Sequence, residues 1–266
     1  ELPPVINGIG VDISPSDWSG HLGVRCGLSD SVNLVANYGR GFRAPNVFDL
    51  GTFGDRPSNR FNIPNPDLVS ETVDTVDLGL KWSGVTVEAE LVGYVSKYRD
   101  KITSVLTGEV TDSGRLVTQN QNVTELDLWG VEGGFRWYPS ETLEGYVTAT
   151  YTRGDEELDG EQYAADRIPP LFGKAGVVWH AGDRWSFEGY SFYAARQDRL
   201  SPRDAIDPRI NPQGTAGWAT LNARVEFSVN DALKLALRAE NLGDVRYREH
   251  GTGLDERSEE RRVGKE

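Results

Sequence analysis

From Ser19 onward the chain falls into segments of about ten residues in which apolar and polar positions alternate. A period of two marks a strand whose faces meet different surroundings. In Val85 to Val95, the residues Val85, Val87, Ala89, Leu91 and Val95 share one parity, while Thr86, Glu88 and Glu90 share the other. Leu221, Ala223, Val225, Phe227 and Val229 oppose Asn222, Arg224, Glu226 and Ser228. Leu233, Leu235, Leu237 and Ala239 oppose Lys234, Arg238 and Glu240. Weaker alternation elsewhere brings the prediction to about ten strands, near 19–28, 32–42, 72–82, 85–99, 125–137, 143–153, 171–180, 185–196, 217–229 and 233–241.

The connections alternate between two lengths. Ser29-Asp30-Ser31, Ser83-Gly84, Pro139 to Thr142, Ala181 to Arg184 and Asn230-Asp231 read as tight turns. Between them lie long loops near 43–71, 100–124, 154–170 and 197–216, rich in Pro, Gly, Asp, Asn and Arg. A soluble sandwich has no reason to put every tight turn at one end, whereas a transmembrane β-barrel has short periplasmic turns and long extracellular loops. Aromatic placement points the same way, because Trp and Tyr collect at membrane interfaces. Trp82, Trp137, Tyr138 and Trp185 flank tight turns, and Tyr38, Trp129 and Tyr151 lie toward the long-loop ends on the apolar parity. Trp218 falls on the charged parity and does not fit this girdle. The alternative, core aromatics of a soluble sheet, is opposed by the charged face: Glu88, Glu90, Arg224, Glu226, Arg238 and Glu240 cannot line a dry core unpaired.

Composition removes several function classes. Only 38% of residues are hydrophobic and mean hydropathy is −0.48, with no run of apolar residues long enough for a transmembrane helix. A formal net charge of −13 lacks the basic footprint of nucleic-acid binding. The single cysteine, Cys26, excludes an internal disulfide framework. His21, His180 and His250 are scattered without metal-ligand spacing, and no G-x-S-x-G elbow or P-loop occurs. Neither a catalytic residue, a metal site nor a cofactor is expected, and the chain is not read as an enzyme. The sequon Asn122-Val123-Thr124 is a weak signal by itself.

One stretch narrows the class further. Gly39-Arg40-Gly41-Phe42-Arg43-Ala44-Pro45-Asn46, followed by Asp49-Leu50, resembles the "GFRAP" segment of TonB-dependent outer-membrane receptors. Asn65-Pro66-Asp67-Leu68 with Glu71, and Asp77 to Lys81, are similar to that family's next pattern. Asn122 with Gly130-Val131-Glu132 resembles its "N...GxE" step. Tyr151-Thr152, Gly160 and Ile168-Pro169-Pro170, then Leu237 to Leu242 with Asn241 and Tyr247, resemble two later steps in the right order.

The resemblance implies a large barrel of about twenty-two strands, blocked by an N-terminal plug. The chain is therefore expected to be all-β, an incomplete antiparallel transmembrane barrel forming an open curved sheet. Residues 1–256 would be its C-terminal portion, without plug, TonB box or final strand. The start Glu1-Leu2-Pro3-Pro4 carries no signal-peptide features, as expected if upstream sequence is missing. The last ten residues, Arg257 to Glu266, lack alternation and match the in-frame translation of a short-read sequencing adapter, so they are expected to be non-native.

By the same resemblance, the function is import of a scarce nutrient with TonB-supplied energy, a ferric siderophore being favoured over cobalamin or sugar. The expected partners are this ligand, the TonB complex through the plug, and outer-membrane lipid with lipopolysaccharide. Loop residues with charge or a planar ring, Arg56, Arg60, Phe61, Tyr163, Arg203 and Arg209, are the ligand candidates, since a guanidinium fork suits an anionic chelate. Their competing role is pairing with Asp55, Asp204 or Asp207, or with lipopolysaccharide phosphates. Glu88, Glu90, Arg136, Arg224, Glu226 and Arg238 are the plug-facing candidates. A small adhesin- or protease-type barrel unrelated to TonB is the alternative class.

Overall fold

A computed structural model describes residues 16–56, 59–158 and 160–252. The tail 257–266 and the start at Glu1 lie outside the described residues. The strands are β1 (Gly20–Gly27), β2 (Val32–Arg43), β3 (Gly54–Arg56), β4 (Arg60–Ile63), β5 (Glu71–Ser83), β6 (Val87–Val110) and β7 (Leu116–Ser140). They continue as β8 (Leu143–Leu158), β9 (Glu161–Ala164), β10 (Phe172–Ala181), β11 (Trp185–Ala194), β12 (Trp218–Asn230) and β13 (Leu233–Ala239). Two helical turns, α1 (Val47–Gly51) and α2 (Pro202–Ile206), sit in loops.

Ten of the strands form one antiparallel meander, in the order β1-β2-β5-β6-β7-β8-β10-β11-β12-β13. β1 and β13 do not pair with each other, so the sheet is open. The five predicted tight turns all join neighbouring strands at one end. Their chemistry is local: the Asn230 carboxamide oxygen accepts from the backbone of Ala232 and Leu233, and Gly182 supplies a φ of 68°.

Register settles the two faces. Leu80 pairs with Leu91 and Leu91 with Gly133; Ala89 pairs with Phe135 and Phe135 with Val147; Phe187 pairs with Val225 and Val225 with Leu237. The apolar parity of every strand thus lies on one side. These side chains are open to the surroundings, with Leu78 56%, Leu91 57% and Leu237 73% exposed. A soluble protein does not leave so large a contiguous apolar face uncovered, whereas lipid covers it in a barrel. Aromatic contacts band this face: Trp179, Phe187, Trp185 and Phe227 stack near the tight turns, and Trp129 meets Tyr151 at the other end. Tyr138 departs from the expected girdle, for its hydroxyl donates to Glu88 on the opposite, charged face. Trp218 is likewise on the charged face and packs on Tyr247, ring centroids 4.1 Å apart.

The largest departure from the sequence reading concerns 100–124, which is not a loop. β6 and β7 continue through it as one long hairpin, turning only at 111–115. Alternation faded there for a physical reason: beyond the lipid both faces meet water, and Lys101-Ile102-Thr103-Ser104 and Gln119-Asn120-Gln121-Asn122 have no apolar face to hold. At about 3.3 Å per residue, the 24 residues of β6 reach well beyond the 9–11 needed to cross a bilayer. Hairpin β3–β4 and strand β9 similarly structure the predicted loops 43–71 and 154–170. Buried apolar side chains, among them Leu50, Leu68, Val117, Ala165 and Ile210, concentrate beneath these loops rather than in the wall.

Candidate functional site

The charged face carries a ladder of pairs along the wall. Glu88 stands opposite Arg136 in register, Lys81 reaches Glu90 at 3.3 Å, and Arg136 reaches Glu144 at 2.8 Å. Across β10 to β13, Lys174 meets Glu188 at 2.8 Å and lies 4.1 Å above the Tyr190 ring. Arg238 Nε donates to the Tyr190 hydroxyl at 2.7 Å, and Arg224 pairs with Glu226. All six plug-facing candidates are thus on this one face. Most of these pairs are partly solvated and contribute little stability individually. Together they make a hydrated, ion-lined wall.

Glycine and tyrosine interlock on the same face. A Cβ on Gly130 would lie 2.5 Å from the Tyr151 carbonyl oxygen and 2.5 Å from the Tyr94 ring. The Tyr94 hydroxyl, crossing over Gly130, meets Thr152 Oγ1 at 2.7 Å. Gly176 is overlain similarly by Tyr146. Gly41 differs: its nearest neighbour would be Val73 at 3.6 Å, so the structure gives no steric reason for that glycine.

Above the wall, residues 44–56 and 59–70 fold back on the tall end of β6–β7 and are clamped there by the motif residues. Arg43 grips Glu71 through two nitrogens, at 2.7 and 3.1 Å, and Asp49 at 2.6 Å. Asn46 caps α1, and Asp49 closes the capping box by accepting from the Asn46 backbone at 2.9 Å. Pro45 is buried beneath. Asn65 donates to the Asn120 carbonyl at 2.8 Å, and Asn120 to the Asp49 carbonyl at 2.9 Å. The Asn122 carboxamide accepts from Val69 N at 2.9 Å and donates to Val69 O and Asp100 O. Asn62, 4% exposed, donates to Thr52 O and accepts from Thr118 Oγ1. Thr118, Asn120 and Asn122 share the parity of Glu132 and Arg136, which places this loop on the ion-lined side. Sequence reasoning missed the clamp, although the uncharged polar run Gln119 to Asn122 was its signal.

A second cluster ties three more segments together. Arg167 pairs with Asp207 and donates to Gly251 O at 2.6 Å. Asp204, 1% exposed inside α2, accepts from Arg167 N at 2.9 Å. His250 Nδ1 lies 2.9 Å from Thr215 Oγ1, and its Nε2 lies 3.7 Å from Asp204. Bonding to the Arg209 guanidinium, with Arg167 beside it, holds the Asp207 carboxyl well below the usual range. Burial pushes His250 below its ordinary value, partly offset by Asp204. Asn241, at φ 51°, closes on Val245 through both carboxamide atoms and steers the chain after β13 into this cluster. Alongside is a cavity of about 670 Å³ lined by Phe172, Phe192, Trp218, Asn222, Arg238 and Tyr247. It opens on the charged face.

The ligand candidates separate into two groups. Arg56, Arg60 and Phe61 lie on hairpin β3–β4, where Phe61 packs edge-on against Phe53. Tyr163, Arg203 and Arg209 lie on the loops around the second cluster. There Tyr163 bonds Glu161, Arg203 pairs with Asp166 at 3.1 Å, and Arg209 pairs with Asp207 at 2.8 Å. Asp55 is taken by Arg115 at 3.1 Å. Arg209 thus takes one of the three expected carboxylates, whereas Arg203 pairs with Asp166, which was not among them.

Comparison with known proteins agrees with this geometry. Residues 6–242 match the family model described as TonB dependent receptor-like, beta-barrel. The chain is 25% identical over 247 residues to hemoglobin-haptoglobin utilization protein B of Neisseria meningitidis serogroup C, covering 81% of this chain and 30% of that protein. It is 27% identical over 263 residues to the ferric enterobactin receptor of Pseudomonas aeruginosa, covering 88% and 34%. Among solved structures, the copper transporter OprC superposes with a TM-score of 0.72 at 25% identity, covering 87% of this chain and 34% of that one. The chain therefore spans about a third of the length of the relatives it matches. With ten meandering strands, an apolar outer face, an ion-lined inner face and a family match across nearly its whole described length, this chain belongs to the TonB-dependent receptor β-barrel family of the bacterial outer membrane.

Proposed function

We propose that this chain is the loop-bearing part of the barrel wall in a receptor that captures a scarce nutrient outside the cell and imports it with TonB-supplied energy. A ferric siderophore is the favoured cargo. The observation that carries the reading is the inward fold of residues 44–56 and 59–70. A long loop is held over the ion-lined face by half-buried Asn65, Asn120 and Asn122 and by buried Asn62 and Thr118, so whatever it binds is presented to the lumen rather than to lipid. Rigid strands with specific loops are the arrangement expected of a binding mouth. The lumenal pairs around Glu88, Arg136, Arg224 and Arg238 are the surface for a plug through which TonB would act.

The relatives named for haemoglobin-haptoglobin, ferric enterobactin and copper differ in cargo, so the test must compare cargoes. The receptor carrying this segment should restore uptake of labelled ferric chelate to a receptor-deficient strain, and lose it when TonB is deleted. Uptake that survives TonB deletion would contradict the energy claim. Restored uptake of cobalamin or copper, with no uptake of ferric chelate, would contradict the cargo.

A further inference from the structure

The tall hairpin has a backbone edge with no strand beside it. β5 pairs with β6 only as far as Thr72 opposite Arg99, whereas β6 continues to Val110 with β7 as its partner. β7 is backed in turn by β4, and β4 by β3, so above the wall the strands run β3-β4-β7-β6. Among the described residues, β6 from Ile102 upward is therefore a free edge of this small sheet. Ile102 N still finds an acceptor, the Glu71 carboxylate at 3.0 Å, and so points away from β7. Directions alternate along a strand, so Ser104 and Leu106 aim their N–H and C=O groups the same way, with no strand to receive them.

The two edges of this sheet differ in kind. β3 is three residues long and carries Asp55 and Arg56, the short and charged form that keeps an edge from recruiting other chains. β6 has no such protection. From Ile102 to Leu106 there is no proline and no charge, and the ladder first slips between Leu106 and Val110. Lys101, just below, is taken by Glu156 at 3.1 Å. Ser104 and Leu106 are exposed. The edge is also held in shape, because Thr118, Asn120 and Asn122 of β7, directly behind it, are bonded to the clamped loop.

Height narrows the occupant. Ser104 is nine residues beyond Val95, the partner of Trp129, and so about 30 Å farther along the strand than the outer aromatic band. Lipid does not reach it. Neighbouring wall does not either, for β2 and β5 end at Arg43 and Glu71, and residues 44–56 and 59–70 between them fold inward. A row of donors and acceptors recurring at every second residue is matched by another extended polypeptide backbone.

We propose that residues 102–106 of β6 form a docking edge for an extended segment of an extracellular polypeptide, which joins the sheet as a further strand. The segment is uncharged and rich in β-branched side chains, to lie beside Ile102, Ser104 and Leu106 on one face and Thr103 and Val105 on the other. The inference depends on the long-loop end of the barrel facing outward and is independent of the imported cargo.

The test uses the receptor carrying this segment, purified in detergent. In hydrogen exchange, the Ser104 and Leu106 amides should exchange rapidly while those of Thr103 and Val105, directed at β7, are protected. Protection of Ser104 and Leu106 in the unliganded receptor would overturn the proposal, because another segment of the receptor would already cover the edge. Protection that grows with receptor concentration would overturn it in favour of a second copy. A library of short linear peptides displayed on phage is then selected against the parent receptor, with the Ser104→Pro receptor as counter-selection. Enriched peptides should be uncharged, protect Ser104 and Leu106 from exchange, and bind Ser104→Pro about tenfold or more weakly. Proline is tolerated at that position because its N–H is not part of the β6–β7 ladder. Leu106→Lys, which puts a charge on the edge, should weaken binding in the same way. Binding that survives N-methylation of alternate backbone amides in the peptide would overturn the strand-addition mode. So would a selection yielding no peptide that distinguishes the parent from both variants.

Discussion

At the scale of single residues, the motifs that carry the family resemblance prove to be mechanical. Arg43, Pro45 and Asn46 anchor and cap α1, Asn65 and Asn122 stitch a loop to β7, and Asn241 shapes the exit from β13. Removing the Asn122 carboxamide strands Val69 N and two carbonyls, and should cost about 1–3 kcal/mol at that site. The expected outcome for Asn122→Ala is faster protease cleavage within 44–70 and an unchanged barrel; cleavage at the parental rate would show that the clamp is redundant. Glycines divide on similar grounds. Gly130→Ala should sharply reduce the heat-modifiable folded fraction in the outer membrane, and Tyr94→Ala should not rescue it, because the Tyr151 carbonyl still blocks the new methyl at 2.5 Å. Gly134→Ala should be nearly silent, since its nearest contact is the mobile Glu90 side chain at 3.3 Å. Equal effects at the two positions would contradict the interlocking of Tyr94 over Gly130.

At the scale of elements, what could be read from the chain was whatever lipid imposes on it. Between the interfaces one face must be apolar, so alternation located all ten wall strands, and register places Leu91 and Glu90 on opposite faces. Leu91→Lys should therefore cost about 2–4 kcal/mol of barrel stability, while Glu90→Lys costs little. Folded yields in phospholipid vesicles report this difference, and similar yields would refute the assignment of faces. Above the interfaces that constraint ends, which is why 100–124 read as loop although it is strand, and why hairpin β3–β4 went unseen. The second loop cluster was also illegible, because His250, Asp204, Arg167 and Thr215 come from separate segments and only tertiary structure joins them. It should be acid-sensitive. Burial lowers the pKa of His250 below its ordinary 6.5, so the neutral ring belongs to the folded cluster. Its stabilisation is full above that value and is lost as pH falls through the lower folded value. Asp207, also lowered, acts only in more acidic solution, below its ordinary 3.8. Hydrogen-exchange protection factors for 197–216 and 245–252 should therefore drop between pH 7.5 and 5.5, and His250→Gln should flatten the drop. An unaltered pH dependence in that variant would show that His250 is not the group responsible.

At the scale of the whole molecule, the sheet has a seam. β1 and β13 each present an unpaired edge among the described residues, and in lipid an unpaired backbone edge costs several kcal/mol per stranded group. The 266-residue chain alone should therefore fail to give a protease-resistant, membrane-inserted species, whereas the same residues within a closed barrel should. Its match to about a third of each relative has the same sense, since ten strands are less than half of a barrel of about twenty-two. The central claim is that this chain is a contiguous run of wall from a larger, plugged import receptor. Long-read sequencing of the source DNA on both sides of the coding region tests it most directly. The account predicts a signal peptide and plug domain upstream of Glu1, and past Asp255 a further alternating strand ending in an aromatic residue, in place of Arg257 to Glu266. A signal peptide joined directly to Glu1, with Arg257 to Glu266 encoded by the genome, would instead make this a small outer-membrane protein and contradict the import claim.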